Sequence, residues 1–223
     1  MKVVITGASR GIGFELVKYF LVNGHQVIAI SRNQDKLLEL EKLGANILAF
    51  DLTSEDFTPL IDVVKSFGDI DILINNAGAL VNKPLSQMTN EDIKYVYNVN
   101  VFSVIKLIRD LLIHFKNDAH IVNISSVGGV QGSVKFSGLS TYSSSKGAIS
   151  VLTECLAEEF KDSSLRFNAL ALGAVQTEML QEAFPDYKAN ISSAAMANYI
   201  YRFSTMDGKL YNGKILTVSS STQ

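Results

Sequence analysis

The two residues with the clearest capacity for proton transfer are Tyr142 and Lys146, which are four positions apart in a segment of helical period. Residues four apart share one face of a helix, so the lysine ammonium would lie beside the phenol. A neighbouring positive charge favours the phenolate and lowers the pKa of the phenol. The pair predicts a tyrosine that exchanges a proton with an oxygen atom near neutral pH. Alone, such a pair more often belongs to a solvated helix face.

Two further polar residues stand where they could complete such a site. Ser126 follows a β-branched run, and its hydroxyl could hydrogen-bond and polarise the oxygen that exchanges the proton. Asn100 interrupts an otherwise apolar helical segment, where its amide could equally bond a neighbouring backbone group. Ser125 and Ser126 alone would indicate only a turn at a strand end. The joint placement of these residues, rather than any one of them, points to a site.

The first β-branched run leads directly into a glycine-containing turn, residues 6–13, and an amphipathic helical segment follows. Glycine permits a tight turn and a close approach of backbone to phosphate, while the first helical amides offer donors at the positive end of the dipole. This order is typical of dinucleotide binding, although such a turn could simply connect a strand to a helix. The expected cofactor contacts here are Gly7, Ser9, Arg10, Gly11, Ile12 and Gly13.

The end of the second predicted strand distinguishes between the two nicotinamide cofactors. An NAD enzyme usually has a carboxylate there for the ribose 2′-hydroxyl, but Ser31 and Arg32 occupy this position. The Arg32 guanidinium can bind a 2′-phosphate, and Arg10 in the glycine turn can add a second positive group. The sequence therefore predicts NADP(H), although either arginine alone could be an ordinary surface charge.

Short β-branched runs alternate with longer segments of helical period, a pattern typical of an α/β fold with a parallel sheet covered on both faces. Seven strands are predicted, over residues 3–6, 26–30, 46–50, 70–74, 120–124, 165–170 and 214–218. Six helices are predicted, over residues 12–22, 34–43, 56–67, 90–115, 142–160 and 191–203. This arrangement would bring the strand ends that carry the polar residues to one edge of the sheet.

The composition predicts one domain over residues 1–223, because 47% of the residues are hydrophobic and no low-complexity tract marks a linker. A formal net charge of -2 lacks the positive field of a nucleic-acid-binding protein. No apolar stretch approaches the roughly 18 residues of a membrane helix, and the N-terminal apolar run is too short for a secretory signal. We therefore expect a cytoplasmic protein without nucleic-acid or membrane partners.

The residues most often used to bind metals give no such pattern here. His25, His114 and His120 lack metal-ligand spacing, so no metal is expected. The single cysteine, Cys155, cannot form an intramolecular disulfide and is expected to be a buried structural thiol.

Several motifs together resemble those of the short-chain dehydrogenase/reductase family, in its compact, non-extended branch. Residues 6–13 resemble the cofactor turn, Asp51-Leu52 the adenine-contacting pair, and Asn75-Asn76-Ala77-Gly78 the motif after the fourth strand. Asn98-Val99-Asn100-Val101, Ile124-Ser125-Ser126 and Tyr142-Ser143-Ser144-Ser145-Lys146 resemble its catalytic segments. The resemblance runs from residue 2 to about 218. It implies a single doubly wound Rossmann-type domain, with a seven-stranded parallel sheet and helices on both faces.

The resemblance also implies roles for individual residues. Tyr142 would be the general acid and base, Ser126 would orient the substrate, Lys146 would bind the nicotinamide ribose, and Asn100 would hold a water that links Lys146 to solvent. Besides the glycine turn, the implied cofactor contacts are Ser31, Arg32, Asp51, Leu52, Asn76, Ala77, Gly78, Val99, Tyr142, Lys146, Gly173, Val175 and Thr177.

Three features depart from the family pattern. The interval between Ser126 and Tyr142 is a few residues longer than usual, and its glycine-rich part, residues 128–138, borders the substrate site. Leu172 stands where the family usually has proline, so the loop after the sixth strand loses a rigid φ angle. The segment expected to close over substrate, about residues 178–190, is short, which favours an open and permissive site.

These observations predict an NADP(H)-dependent oxidoreductase that transfers hydride between nicotinamide and a carbonyl or secondary alcohol. An alternative is an NADP(H)-binding sensor or regulatory module without useful turnover. A third possibility, isomerisation or dehydration, would need a larger substrate domain.

The predicted helices 90–115 and 142–160 carry broad apolar surfaces, including Leu107, Ile108, Leu111, Leu112, Val151, Leu152 and Leu156. We expect these surfaces to form a homodimer or homotetramer, although they could instead cover the sheet.

Overall fold

The computed structural model describes residues 1–220, in which strands and helices alternate along the chain. Residues 221–223 of the predicted domain lie outside this part. The strands are β1 (Lys2–Thr6), β2 (Gln26–Ser31), β3 (Asn46–Ala49), β4 (Ile70–Asn75), β5 (Phe115–Ser126), β6 (Arg166–Leu172), β7 (Val175–Gln176), β8 (Ile191–Ser192) and β9 (Lys214–Val218). The α-helices are α1 (Gly11–Val22), α2 (Gln34–Glu41), α3 (Thr58–Phe67), α4 (Asn90–Tyr97), α5 (Ser103–Leu111), α6 (Ser140–Glu159), α7 (Glu178–Ala183) and α8 (Ser193–Thr205). Short 3₁₀ turns cover Leu85–Gln87, Leu112–His114, Val127–Gly129 and Asp207–Leu210.

Within the described residues, the main sheet has seven strands in the order β3-β2-β1-β4-β5-β6-β9, and every neighbouring pair is parallel. The chain order reverses where β1 pairs with both β2 and β4. In open parallel sheets a crevice forms at such a reversal, outside the carboxyl ends of the strands. The predicted doubly wound α/β fold is therefore confirmed.

The alternation of buried residues along β1 explains why helices cover both faces of the sheet. Val3 and Ile5 pack in one buried cluster with Leu16 and Phe20 of α1. Val4, which points to the opposite face, packs in a second cluster that includes Leu60 of α3. Because successive side chains of a strand point to opposite faces, a strand with both faces covered has a continuous apolar run.

The predicted long helix over residues 90–115 is wrong in its interior and at its end. It is interrupted by a π-helical segment, Asn98–Phe102, between α4 and α5, and β5 begins at Phe115 instead of at residue 120. In the π-helical segment, Asn100 Oδ1 accepts from the Ala79 N–H at 2.7 Å and Asn100 Nδ2 donates to the Ala79 carbonyl at 2.9 Å. These tertiary hydrogen bonds accompany an interruption that local helical spacing does not predict.

The start of the predicted helix 191–203 also differs from expectation. Ile191 and Ser192, predicted to be helical, form β8 and pair in parallel with β7, Val175–Gln176. The Ser192 hydroxyl accepts from the Ala195 N–H at 3.2 Å, so it caps α8, which begins one residue later. Within residues 178–190, the predicted lid, the chain forms the short helix α7.

Two expectations about individual side chains are also wrong. Cys155 is exposed on α6 and is not a buried thiol. His120, the first residue of the predicted strand 120–124, is buried inside β5 because that strand begins earlier than predicted. On the apolar helix surface, Leu107, Ile108 and Leu111 are buried in the chain's own core, as the alternative that they cover the sheet predicts.

Among residues 1–220, no helix has the length and apolar character needed to cross a membrane. The same part of the chain contains no group of three or more His, Cys, Asp or Glu side chains placed to hold a metal ion.

Candidate active site

A cavity of about 640 Å³ opens at the carboxyl edge of the main sheet. Its wall includes the turn after β1, the ends of β2, β4, β5 and β6, the start of α6, and part of the segment 178–190. The predicted site residues on this wall are Gly7, Ser9, Arg10, Gly11, Ile12, Ser31, Arg32, Asp51, Leu52, Asn76, Ala77, Gly78, Val99, Ser126, Tyr142, Lys146, Gly173, Val175 and Thr177. Two other predicted site residues, Gly13 and Asn100, lie behind the wall and are described below.

The glycine turn is fixed to the end of β4 by hydrogen bonds. Asn76 Nδ2 donates to the carbonyls of Thr6 at 3.0 Å and Gly7 at 3.2 Å, and the Thr6 hydroxyl accepts from the N–H groups of Asn76 and Ala77, both at 3.1 Å. Gly7 has φ +68°, and a Cβ built on it would lie 2.7 Å from Ala77 Cα. Only glycine satisfies both conditions without a shift in the backbone.

The start of α1 has the donor set that a diphosphate needs. The chain enters the helix through Gly11 at φ +56°, and among residues 1–220 no side chain caps the N-terminus at Arg10. The first helical N–H groups have no acceptor inside a helix, and they lie at the positive end of the helix dipole. Gly13 packs against the Gly7 carbonyl behind the turn, where a Cβ would collide. The turn therefore fits a dinucleotide.

The two predicted phosphate-binding arginines line the same cavity, but Arg10 already has a partner. Its guanidinium forms a two-point ion pair with Glu182 of α7, in which Nη2 donates to Oε2 at 3.0 Å and Nη1 donates to Oε1. This hydrogen bonding raises the pKa of Arg10 and lowers the pKa of Glu182. Arg32 is exposed, and its Nη2 lies 3.4 Å from the Tyr95 hydroxyl. Arg10 therefore connects the glycine turn to α7, in the segment 178–190.

Two of the predicted catalytic residues, Ser126 and Tyr142, come from a strand end and a helix start. Ser126 ends β5, and Tyr142 lies in the first turn of α6. Burial raises the pKa of the Tyr142 phenol, while its hydrogen bond with Ser126 acts in the opposite direction. The lowering expected from Lys146 is therefore wrong for this structure, because desolvation disfavours the phenolate more than its surroundings stabilise it. At neutral pH the phenol carries its proton and can donate it.

Lys146 is buried one helical turn beyond Tyr142, and its Nζ lies 5.9 Å from the centre of the tyrosine ring. The Nζ donates to the carbonyl of Ile124 at 2.8 Å, so the lysine is anchored to β5, the strand that ends in Ser126. Burial lowers the pKa of Lys146 to about 8. At neutral pH the side chain is therefore mainly the ammonium, with a larger neutral fraction than an exposed lysine has.

Asn100 is buried behind this pair rather than on the cavity wall. Besides its two hydrogen bonds with Ala79, its Nδ2 donates to the Ser145 hydroxyl at 2.9 Å, and Ser145 directly precedes Lys146. A Cβ built on Gly78 would lie 3.5 Å from Lys146 Nζ and 3.6 Å from Asn100 Oδ1. Asn100 therefore links the loop after β4 to the helix that carries Tyr142 and Lys146.

Comparison with known proteins decides the family. The family model described as short chain dehydrogenase matches residues 1–188. L-fucose dehydrogenase of Oryctolagus cuniculus is 32% identical over 209 residues, which cover 90% of this chain and 72% of that protein. The chain belongs to the short-chain dehydrogenase/reductase family. Another relative, carbonyl reductase [NADPH] 2 of Sus scrofa, is 31% identical over 182 residues, covering 80% of this chain and 73% of that protein.

A solved structure agrees with this assignment over almost the whole chain. The 3-ketoacyl-(acyl-carrier-protein) reductase of Brucella melitensis, complexed with NADH, superposes with a TM-score of 0.88 at 25% identity, covering 99% of this chain and 97% of that one. As a short-chain dehydrogenase/reductase, the protein is an oxidoreductase that uses a nicotinamide cofactor and acts on an alcohol or carbonyl compound.

The short-chain dehydrogenase/reductase also has a wall of apolar residues that the motifs did not identify. Val134 and Phe136 come from the long loop before α6, and Met179, Phe184 and Tyr187 come from the segment 178–190. Sequence reasoning placed both segments beside the substrate but assigned no role to these side chains. Their signal was the presence of large apolar residues in two segments that are otherwise polar or glycine-rich.

The loop after β6 is held in place despite the leucine at position 172. The N–H of Gly173 donates to the Val218 carbonyl of β9 at 2.9 Å, and the Ser193 hydroxyl donates to the Gln176 carbonyl at 2.6 Å. Pairing of β7 with β8 adds further support. These contacts restrain the loop in place of the rigid φ that proline would supply.

Proposed function

We propose that this protein is an NADP(H)-dependent carbonyl reductase in which Tyr142 is the general acid. One observation supports this most directly: a single cavity joins Ser126, Tyr142 and Lys146 to the glycine turn, which contains Arg10, and to Arg32 at the end of β2. A proton donor at one end and a phosphate-binding turn at the other are the arrangement that nicotinamide-dependent reduction needs.

Two groups of residues would hold the cofactor, one at its phosphates and the other at its nicotinamide. The N-terminus of α1 would bind the diphosphate, and Arg10 and Arg32 would bind a 2′-phosphate. The turn containing Gly173 and Thr177 would hold the nicotinamide. One relative is named for NADPH, whereas several solved neighbours are complexed with NADH, so the family leaves this choice open. Two arginines, without a carboxylate at positions 31 and 32, support NADP(H).

In the proposed reaction, the carbonyl carbon of the substrate would accept the hydride that a bound reduced nicotinamide would supply. The Ser126 hydroxyl donates a hydrogen bond to the carbonyl oxygen and fixes its position. Tyr142 gives its phenolic proton to that oxygen as negative charge develops on it, so the product is a secondary alcohol. Tyr142 then regains a proton from solvent through Lys146. Tyr142 starts this step as the neutral phenol, because burial keeps its pKa above the ordinary value.

The cofactor part of the proposal is tested by equilibrium binding of NADPH and NADH to the purified protein at fixed salt. We expect NADPH to bind at least about tenfold more tightly, and Arg32→Ala to remove most of this preference. Lys36→Ala is a matched control, because Lys36 is a nearby exposed cation on α2 that pairs with Glu39 and is not on the cavity wall. Equal affinities for the two cofactors in the wild-type protein would overturn the NADP(H) assignment.

Two other expectations stay predictions. The exposed apolar side chains Phe102, Ile105 and Val151 leave an apolar surface on the π-helical segment, α5 and α6 that a second copy of the chain could cover. Light scattering on the purified protein would distinguish a monomer from the proposed homodimer or homotetramer. The cytoplasmic location would be tested by fractionation of the cells that produce the protein.

A further inference from the structure

The long loop before α6 builds one apolar wall of the cavity. Val134 and Phe136 both line it, whereas Lys135 between them points to the loop itself. Lys135 Nζ donates to the Val130 carbonyl and to the Ser133 hydroxyl, both at 2.6 Å. This alternation is typical of an extended segment, in which successive side chains point to opposite sides. The loop thus presents its apolar side chains to the cavity and keeps its cation out of it.

The lid segment, residues 178–190, forms a second apolar wall, which includes Met179, Leu180, Phe184 and Tyr187. Both walls are connected to the loop after β4. Asn82 Nδ2 donates to the Ala183 carbonyl at the end of α7 at 2.9 Å, and the Lys83 N–H donates to the Gly138 carbonyl of the long loop at 3.1 Å. The adjacent residues Asn82 and Lys83 therefore connect the loop after β4 to both walls.

Three of these apolar side chains are exposed where they line the cavity. Val134 and Phe136 are each 54% exposed, and Tyr187 is 51% exposed. Apolar side chains grouped at a cavity that also contains polar reacting groups are typical of a small-molecule site. A ligand that covers them gains free energy by removing apolar surface from water.

The charged side chains among the described lining residues are Arg10, Arg32, Asp51, Lys146 and Glu178. The two arginines and Asp51 belong to the dinucleotide end. Glu178 Oε2 lies 3.5 Å from the position of a Cβ on Gly11, so it also faces the glycine turn. Lys146 is engaged with the Ile124 carbonyl. An anionic group between the apolar walls would therefore lose hydration without gaining an ionic partner.

Resting on the proposed function, we propose that the substrate of this enzyme is an uncharged ketone with a bulky apolar substituent. The carbonyl oxygen faces Ser126 and Tyr142, and the apolar substituent fills the space between the long loop and the lid segment. Phe136 and Val134 are specificity-determining residues for that substituent. Carboxylated and phosphorylated carbonyl compounds are poor substrates, because the walls around the substituent offer them no cation.

The test compares two aryl ketones that differ by one para carboxylate, acetophenone and 4-acetylbenzoate, with NADPH and with NADH. With the preferred cofactor, we expect kcat/KM for acetophenone to be at least about tenfold higher than kcat/KM for 4-acetylbenzoate. This difference corresponds to about 1.4 kcal/mol. Equal values, or a preference for the carboxylate, would overturn the substrate class and leave the reductase proposal intact.

Variants of the long loop test whether this wall determines the preference for the uncharged ketone. Phe136→Ala should raise the KM for acetophenone several-fold without changing the Kd of the cofactor, and Phe136→Arg should shift the preference toward 4-acetylbenzoate. Ser137→Ala is the matched control, because Ser137 is the exposed next residue and does not line the cavity. An unchanged preference in Phe136→Arg would overturn the role of this wall.

Measuring the binding of both ketones distinguishes a wrong substrate class from a wrong reaction. If neither ketone is reduced, both are titrated calorimetrically against the protein saturated with NADPH. Tighter binding of acetophenone would support the apolar site while removing the reductase assignment. Binding of neither compound, or equal binding of both, would overturn the substrate class.

Discussion

The guanidinium of Arg10 is paired at two points with the carboxylate of Glu182, so the glycine turn is linked directly to helix α7. The same arginine is proposed to bind the 2′-phosphate of NADP(H). A carboxylate and a phosphate compete for one guanidinium fork. Cofactor binding is therefore expected to weaken the contact between the turn and the lid segment.

This competition predicts the effect of Glu182→Gln. Removing the carboxylate charge should strengthen NADPH binding by up to about fivefold, because an exposed ion pair contributes at most about 1 kcal/mol. NADH binding should not change. Glu158→Gln is the matched control, because it breaks the exposed pair between Glu158 near the end of α6 and Lys161 just after that helix. Equal gains for the two cofactors, or no gain for NADPH, would contradict the competition.

Asn100 is expected to be a positioning residue whose loss affects both stability and rate. Asn100→Ala leaves the buried N–H of Ala79 without its acceptor and should lower the free energy of unfolding by about 2 kcal/mol. It also removes the link to Ser145, so kcat should fall while the Kd for NADPH stays close to the wild-type value. Urea unfolding and steady-state kinetics measure the two effects. The half-buried Asn98→Ala provides the comparison, and equal stability of the two variants would contradict this role.

His120 should make the protein less stable in mild acid. Its Nδ1 lies 3.2 Å from the Ser204 carbonyl and its Nε2 lies 3.0 Å from Asn168 Nδ2. Asn168 Oδ1 accepts from the Lys214 N–H, so Nδ2 is the amide donor and His120 Nε2 must accept. Only the neutral imidazole satisfies this arrangement, and burial lowers the pKa of His120 to about 4.

The sign of this pH effect follows from proton binding. Between pH 6.5 and about 4 the unfolded chain binds a proton at His120 that the folded chain does not, so stability falls as the pH is lowered through this range. The loss is up to about 3 kcal/mol. Urea unfolding at several pH values measures it, and His120→Gln should flatten the curve over this range. Parallel curves for the two proteins would show that His120 is not responsible.

The sequence predicted structure best where the residues of one short segment determine the conformation of that segment. The apolar runs of β1 and β4 predict buried parallel strands because both faces of such strands are covered, and the glycine turn predicts its own backbone shape. Ser126 and Tyr142 could be placed at one edge because parallel strands and the following helices share a direction. These predictions required no information about distant contacts.

The errors arise where a distant partner overrides the local pattern. Helical spacing continues through Asn100, but its hydrogen bonds with Ala79 accompany a π-helical interruption. The pKa of Tyr142 depends on burial, which the spacing of Tyr142 and Lys146 does not reveal. In the same way, nothing in the glycine turn indicates that Arg10 pairs with Glu182, which lies 172 residues later.

The most direct test of the proposed chemistry is Tyr142→Phe, which removes the phenolic oxygen and keeps the ring. The variant and the wild-type protein are compared for NADPH binding and for NADPH-dependent reduction of acetophenone at pH 7. The proposal predicts that kcat/KM falls at least about a hundredfold while the Kd for NADPH changes less than about twofold. Unchanged turnover in the variant would contradict the assignment of Tyr142 as the general acid.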